Sequence, residues 1–371
     1  MRLLVIAGTR PEAIKLCPVI LAARERESTE IRVCVTAQHR ELLDEVLVAF
    51  SVRSDYDLDI MQPGQTLFRT TARIVEALEG VLADASPDMV LVQGDTTTTM
   101  AGALAAFYAR IPVAHVEAGL RTGDPARPFP EEMNRVLTGR LATLHFAATS
   151  WAAGNLHREG VDPGKILVTG NTGIDALLYV RDRLERGQLS PARPVAELDP
   201  RRKLLVVTAH RRESFGEGMA AIARALRTLA ARSDVQIVFP VHPNPQVRSV
   251  MRRELADIPH LHLIEPLDYV SFVDLMRKAH VLITDSGGVQ EEAPSLGKPV
   301  LVLREQTERP EAVDAGTAVL VGTDEARIVQ ETERLLNNEA LYRERAYLHN
   351  PYGDGSASER ILDRIAEFLP R

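Results

Sequence analysis

Three acidic residues stand where protons could be moved: Asp95 in QGDTTTTMAG, Glu117 in HVEAGLRTGD and Glu131 in FPEEMNR. Asp95 and Glu117 each follow an apolar run, and Glu131 opens a helical pattern, so all three belong to one side of one sheet. Convergence of carboxylates is what acid–base chemistry requires, because one group must hold a proton while another accepts one. Simpler roles exist for each alone. Asp95 could cap the next helix, although one of the threonines after it can do the same. Glu131 and Arg135, four apart, could form a surface pair. As a group, the three carboxylates favour chemistry.

Other segments suit an anion. GTRPEAIK places Arg10 at a helix mouth, Pro11 in the first turn and Lys15 one turn inside, an arrangement that fits a phosphate. TAHRRESFGEG contributes His210, Arg211, Arg212 and Glu213, and VHPNP contributes His242. In TDSGGVQEEAPSLGKP an apolar run enters Ser286, Gly287 and Gly288 before a helix, where backbone N–H groups can face a pyrophosphate. Glu291 and Glu292 are expected in the first turn of that helix, where a carboxylate favours the dipole or accepts ribose hydroxyls. The pattern is neither GxGxxG nor a Walker loop, so hydride transfer and nucleotide hydrolysis have little support. No metal site is expected: His210 with Glu213 lacks the HExxH spacing, and no thiolate joins them.

These residues need a scaffold that presents strand ends. Apolar runs at 3–7, 31–36, 89–93, 113–116 and 144–147 alternate with helical patterns such as 66–83 and 98–108. A second series covers 203–208, 235–241, 261–264, 281–284 and 299–303. Runs this continuously apolar belong to parallel sheets covered on both faces. The expected fold is therefore α/β, with two Rossmann-like doubly wound domains facing a cleft. The boundaries expected are 1–180, a proline- and charge-rich linker at 181–202, 203–355, and a C-terminal helix at 356–371. A length of 371 residues supports two such cores. With 44 basic against 51 acidic residues and a net charge of −7, a broad nucleic-acid surface is excluded. Only Cys17 and Cys34 are present, which excludes a disulfide scaffold and fits a reducing compartment. Arg10, Pro11 and Glu12 interrupt the first apolar run, so it does not read as a signal peptide. Nothing approaches the roughly 20 apolar residues of a membrane span. The expected location is the cytoplasm.

Together the motifs resemble the non-hydrolysing UDP-N-acetylglucosamine 2-epimerase family. They also include TAQHR, TGNTGIDAL, TERPEAVDAGT and NPYGDG, and they run in family order from Gly8 to Gly355. The resemblance implies a glycosyltransferase-B architecture, a C-terminal helix returning to the first domain, and a homodimer. It also implies interconversion of UDP-N-acetylglucosamine and UDP-N-acetylmannosamine with no cofactor. Matched motif by motif, Asp95, Glu117, Glu131 and His210 occupy catalytic positions, with Arg10, Lys15 and Arg135 in the cleft. Phe272, Ser286, Gly288, Glu292 and Arg309 match positions that hold uridine, ribose and diphosphate. Of these, Phe272 carries no signal apart from the resemblance.

The implied route expels UDP from C1 as C2 loses its proton, giving 2-acetamidoglucal, and then returns UDP as a proton arrives on the other face. Gln38, Arg211 and His242 match a second site through which some members are activated by UDP-N-acetylglucosamine. Here Glu41 and Gly64 replace the Gln and Arg of those members. Two neighbouring activities fit the same residues: a hydrolysing 2-epimerase that releases free N-acetylmannosamine and UDP, and a 2-epimerase of a modified UDP-sugar. A retaining glycosyltransferase is disfavoured by HVEAG and FPEE, and a non-catalytic sensor by three carboxylates.

Overall fold

The computed structural model describes residues 1–36, 40–60, 64–195, 198–307 and 309–369. It divides into two compact units, Met1–Tyr179 with Tyr352–Arg371, and Val180–Pro351.

In the first unit the strands are β1 (Arg2–Ala7), β2 (Glu30–Val35), β3 (Tyr56–Asp57), β4 (Met89–Gln93), β5 (Val113–Val116), β6 (Leu144–Ala147) and β7 (Ile166–Val168). Their order is β3-β2-β1-β4-β5-β6-β7, and the pairs are parallel. Helices α1 (Arg10–Arg24), α2 (Arg40–Ala49), α3 (Leu67–Ala85), α4 (Thr97–Tyr108), α5 (Glu131–Leu141), α6 (Ser150–Arg158) and α7 (Thr172–Glu185) intervene. Every residue of β4, β5 and β6 is buried, which explains why these strands read as unbroken apolar runs.

The second unit repeats the plan. Strands β8 (Lys203–Thr208), β9 (Val235–Pro240), β10 (Leu261–Ile264), β11 (Val281–Thr284), β12 (Val300–Val302) and β13 (Ala318–Leu320) lie in the order β10-β9-β8-β11-β12-β13. Helices α8 (Glu217–Ala230), α9 (Pro245–Leu255), α10 (Tyr269–Lys278), α11 (Gly287–Glu292), α12 (Pro310–Asp314), α13 (Glu325–Asn337) and α14 (Glu339–Ala346) connect them. Helix α15 (Ala357–Phe368) belongs to the first unit, where it packs on α1. Asp175 accepts the backbone N–H groups of Ala357 and Ser358 at its start.

Both sheets have the doubly wound order, so the direction in which successive strands are added reverses between β1 and β4 and again between β8 and β11. At such a switch point neighbouring connections leave on opposite faces, and a crevice opens beyond the strand ends. The candidate residues cluster at these two places. Among the described residues, no helix is long and apolar enough to cross a membrane.

Three strands, β3, β7 and β13, have two or three residues each and escaped the sequence reading. Helix α7 extends to Glu185, into the stretch expected as linker. Glu291 and Glu292 require a correction. Helix α11 has only six residues, so they close it rather than occupy its first turn. A 3-10 turn, Ala293–Leu296, follows and ends at Gly297 in the left-handed region.

Candidate active site

In the first unit the loop after β1 passes very close to α4. A Cβ on Gly8 would lie 2.2 Å from Thr98 Oγ1 and 2.4 Å from Thr36 Oγ1, so only glycine fits. The buried carboxylate of Glu12 accepts the N–H groups of Gly8 and Thr9 at 3.0 and 2.7 Å. It also accepts the hydroxyls of Thr96 and Thr99 at 2.7 and 3.0 Å. Glu12 thereby fixes the Arg10 helix mouth to the turn that carries Asp95. Burial raises its pKa, against these four hydrogen bonds. Sequence reasoning missed it, although Thr9 and Glu12 have capping-box spacing.

Lys15 reaches from α1 to Glu117 just beyond β5, its Nζ 2.5 and 2.6 Å from the two carboxylate oxygens. The pair is largely enclosed, with the side chains 20% and 14% exposed. Gln93 donates its side-chain amide to the same carboxylate. Glu117 has a φ of 63°, a left-handed conformation unusual outside glycine and typical of functional turns.

Asp95 faces Arg135, whose Nη2 lies 3.0 Å from Oδ2. Its pKa is pushed up to about 6, chiefly by burial; Arg135 opposes the shift and the charges of Glu117 and Glu131 add to it. Capping falls to Thr96, which accepts the N–H of Thr99 at 3.1 Å, leaving Asp95 for other work. Arg135 is buried and pairs with Asp95 and Glu132, so the surface-pair reading gives way to an internal network. Glu132 accepts the N–H groups of Thr122 and Gly123 and pins the preceding loop, whereas its neighbour Glu131 stays half-buried at the start of α5.

The raised Asp95 pKa has a thermodynamic consequence. The folded value of about 6 exceeds the ordinary 3.8, so stability from protonated Asp95 is complete below about pH 4 and lost as pH rises to about 6. Asparagine never ionises. The melting temperature of Asp95→Asn relative to wild type is therefore expected to climb between about pH 4 and 6 and then level off. Calorimetry across that range checks this; a flat or falling difference contradicts the shift.

In the second unit His210 follows β8 and Asp285 follows β11. His210 Nδ1 lies 2.9 Å from Asp285 Oδ1, and the His242 ring stacks on His210 with centroids 5.4 Å apart. Ser286 stands at the head of α11, its N–H donating to Thr284 Oγ1 at 2.9 Å. A Cβ on Gly287 would come 2.6 Å from Arg309 Cζ, so the glycine lets that guanidinium approach the backbone. Arg309 Nε donates to buried Glu291 at 2.9 Å. Gly288 and Glu292 lie on α11 itself, and Phe272 is half-buried on α10.

The first unit thus gathers Arg10, Lys15, Asp95, Glu117, Glu131 and Arg135, and the second gathers His210, Arg211, His242, Ser286–Gly288 and Arg309. Gln38 lies outside the described residues, as does the side chain of Glu41. Gly64 is exposed, with a φ of 72°. Among the described residues, no cluster of His, Cys, Asp or Glu is arranged to hold a metal ion.

Two parallel-sheet α/β domains with polar residues beyond both switch points define a protein of glycosyltransferase-B architecture. Known proteins make the assignment specific. The UDP-N-acetylglucosamine 2-epimerase family model matches residues 21–366. The UDP-N-acetylglucosamine 2-epimerase of Escherichia coli K12 is 55% identical over 98% of both chains. The Neisseria meningitidis UDP-GlcNAc 2-epimerase bound to UDP-GlcNAc superposes with a TM-score of 0.90 at 47% identity, covering 99% of this chain and 100% of that one. An S. aureus MnaA–UDP co-structure gives 0.86 at 47% identity, covering 99% and 96%. The chain belongs to the UDP-N-acetylglucosamine 2-epimerase family, and its reaction class is isomerisation at C2 of the nucleotide sugar.

Proposed function

We propose that the chain interconverts UDP-N-acetylglucosamine and UDP-N-acetylmannosamine without net hydrolysis, through 2-acetamidoglucal. The C2 hydrogen lies beside no carbonyl, so deprotonation alone would be slow. Breaking the C1–O bond sends its electron pair to the diphosphate as a carboxylate takes the C2 proton, and the C1–C2 double bond forms. Reversal from the other face gives the epimer, with UDP as both leaving group and nucleophile. The observation that carries this reading is the unlike setting of two neighbouring carboxylates. Burial pushes the Asp95 pKa up to about 6, while Glu117 is gripped by Lys15. Carboxylates in such unlike settings can divide proton donation and acceptance. Glu131 adds a third carboxylate for traffic on two faces, and Arg10 and Arg135 supply positive charge on the same side.

In the second unit, His210, the Ser286–Gly288 backbone and Arg309 stabilise the departing diphosphate, a form of preorganised electrostatic stabilisation. Phe272 and Glu292 hold the uridine end. The bound UDP-GlcNAc and UDP of the related structures support this ligand assignment, with no cofactor required because nothing is oxidised overall.

Positional isotope exchange tests the route. With ¹⁸O in the bridge between C1 and the β-phosphorus, expulsion and return of UDP lets the label enter non-bridging positions. Scrambling during epimerisation is expected; epimerisation with the label fixed in the bridge would exclude elimination.

The chain works in the cytoplasm as a homodimer in this reading. Support for the dimer comes from large apolar side chains left exposed on adjacent helices: Phe68 of α3, Phe107 and Tyr108 of α4, and Met133 and Leu137 of α5.

Activation by a second UDP-N-acetylglucosamine through Gln38, Arg211 and His242 should be weak. By the resemblance, Glu41 and Gly64 stand where activated members carry Gln and Arg, so a diphosphate-containing effector would meet one more negative and one fewer positive charge. Each lost charge contact costs on the order of 1–3 kcal/mol, or roughly tenfold to a hundredfold in affinity. Turnover of UDP-N-acetylmannosamine alone should start without a lag. A pronounced lag removed by a trace of the gluco epimer would show that the effector still binds.

A further inference from the structure

Asp285 is fully buried at the end of β11, in a position none of the roles above uses. Its Oδ2 accepts the backbone N–H groups of His210 and Arg211 at 2.6 and 2.7 Å. These two bonds fix the carboxylate in one orientation and leave Oδ1 beside His210 Nδ1 at 2.9 Å. Thr208 and Thr284 link the same strand ends, their hydroxyls 2.5 Å apart. We propose that Asp285 is the positioning residue for His210: its anionic carboxylate keeps a proton on Nδ1, so that Nε2 is the nitrogen that takes up a solvent proton and presents it to the departing diphosphate. The inference rests on the proposed role of His210 at the diphosphate.

A histidine that must hold or deliver a proton at one nitrogen needs the other nitrogen satisfied, because the partner of one ring atom sets the tautomer at the other. Asp285 meets this need as an anion. Burial would raise its pKa, but the His210 ring and the two backbone N–H groups hold it below the ordinary value. The other titratable ring against His210 is His242, whose pKa is lowered by burial and by His210 itself. His242 covers the face of the His210 ring, while Asp285 meets its edge.

If Asp285 merely tied two strand ends together, asparagine would serve, since its side-chain oxygen can accept both backbone N–H groups. Its amide nitrogen would then face His210 Nδ1 and donate to it, forcing the ring proton onto Nε2. Positioning and plain structure therefore diverge in one variant.

The experiment combines ¹⁵N-histidine spectra with kinetics of Asp285→Asn and His210→Gln, the latter also assigning the His210 signals. Wild type is expected to show the Nδ1–H tautomer and Asp285→Asn the Nε2–H tautomer. The kcat of Asp285→Asn should fall at least tenfold, as expected of a misplaced general acid–base group. An Nε2–H tautomer in wild type would overturn the proposal whether or not the variant folds. So would wild-type kcat in Asp285→Asn when His210→Gln is inactive. Wild-type turnover in His210→Gln would instead withdraw His210 from the proposed reaction, and the wild-type spectrum would still decide the contact with Asp285.

Discussion

Asp95→Asn, Glu117→Gln and Glu131→Gln are each expected to lose about 10²–10⁴-fold in turnover while the protein remains folded and binds UDP. The three exert charge on one another: both glutamates raise the pKa of Asp95. Inversion at C2 needs a proton acceptor on one face and a donor on the other, so no carboxylate can stand in for the rest. Amide replacements keep the shape of the side chain but remove both its charge and its ability to exchange a proton. Initial rates in both directions, with UDP affinity as the control for folding, check this result. A single variant with near wild-type turnover would remove that residue from the chemistry.

Lys15→Met is expected to be nearly as damaging, by about 10²–10³-fold. Removing one partner of an enclosed ion pair leaves the other charge uncompensated, at a cost of roughly 3–5 kcal/mol when burial is complete. Here that charge is the Glu117 carboxylate, held at both oxygens by Nζ at 2.5 and 2.6 Å. The informative variant is the double one. If Lys15 acts through Glu117, then Lys15→Met in a Glu117→Gln background should cost little more than Glu117→Gln alone, because residues that work as one unit are non-additive. Fully multiplicative losses would assign Lys15 a separate contact with substrate.

How far the site could be read from sequence depended on which side of a strand end each residue occupies. Asp95, Glu117 and His210 were legible because parallel strands announce themselves as apolar runs, and the next polar residue marks the crevice. Ser286–Gly288 was legible because two glycines after such a run permit close backbone approach. Glu12 and Asp285 were not singled out, because their partners are backbone N–H groups and hydroxyls brought together by the fold. The Asp95–Arg135 pair was hidden for the same reason: 40 positions separate the two residues, and the nearer reading paired Arg135 with Glu131. The misplacement of Glu291 and Glu292 came from expecting a full helix where Pro294 and Gly297 enforce an early 3-10 ending. The uridine role of Phe272 rests on resemblance alone, since a half-buried aromatic on α10 has no local signature of a base.

The most direct measurement is proton NMR of the protein with UDP-N-acetylglucosamine in D2O. UDP-N-acetylmannosamine is expected to appear until the two epimers reach equilibrium. Deuterium should enter C2, and free UDP should stay below enzyme-scale amounts. Accumulation of free N-acetylmannosamine with an equal amount of UDP, and no UDP-N-acetylmannosamine, would show that water captures the intermediate and would contradict reversible epimerisation.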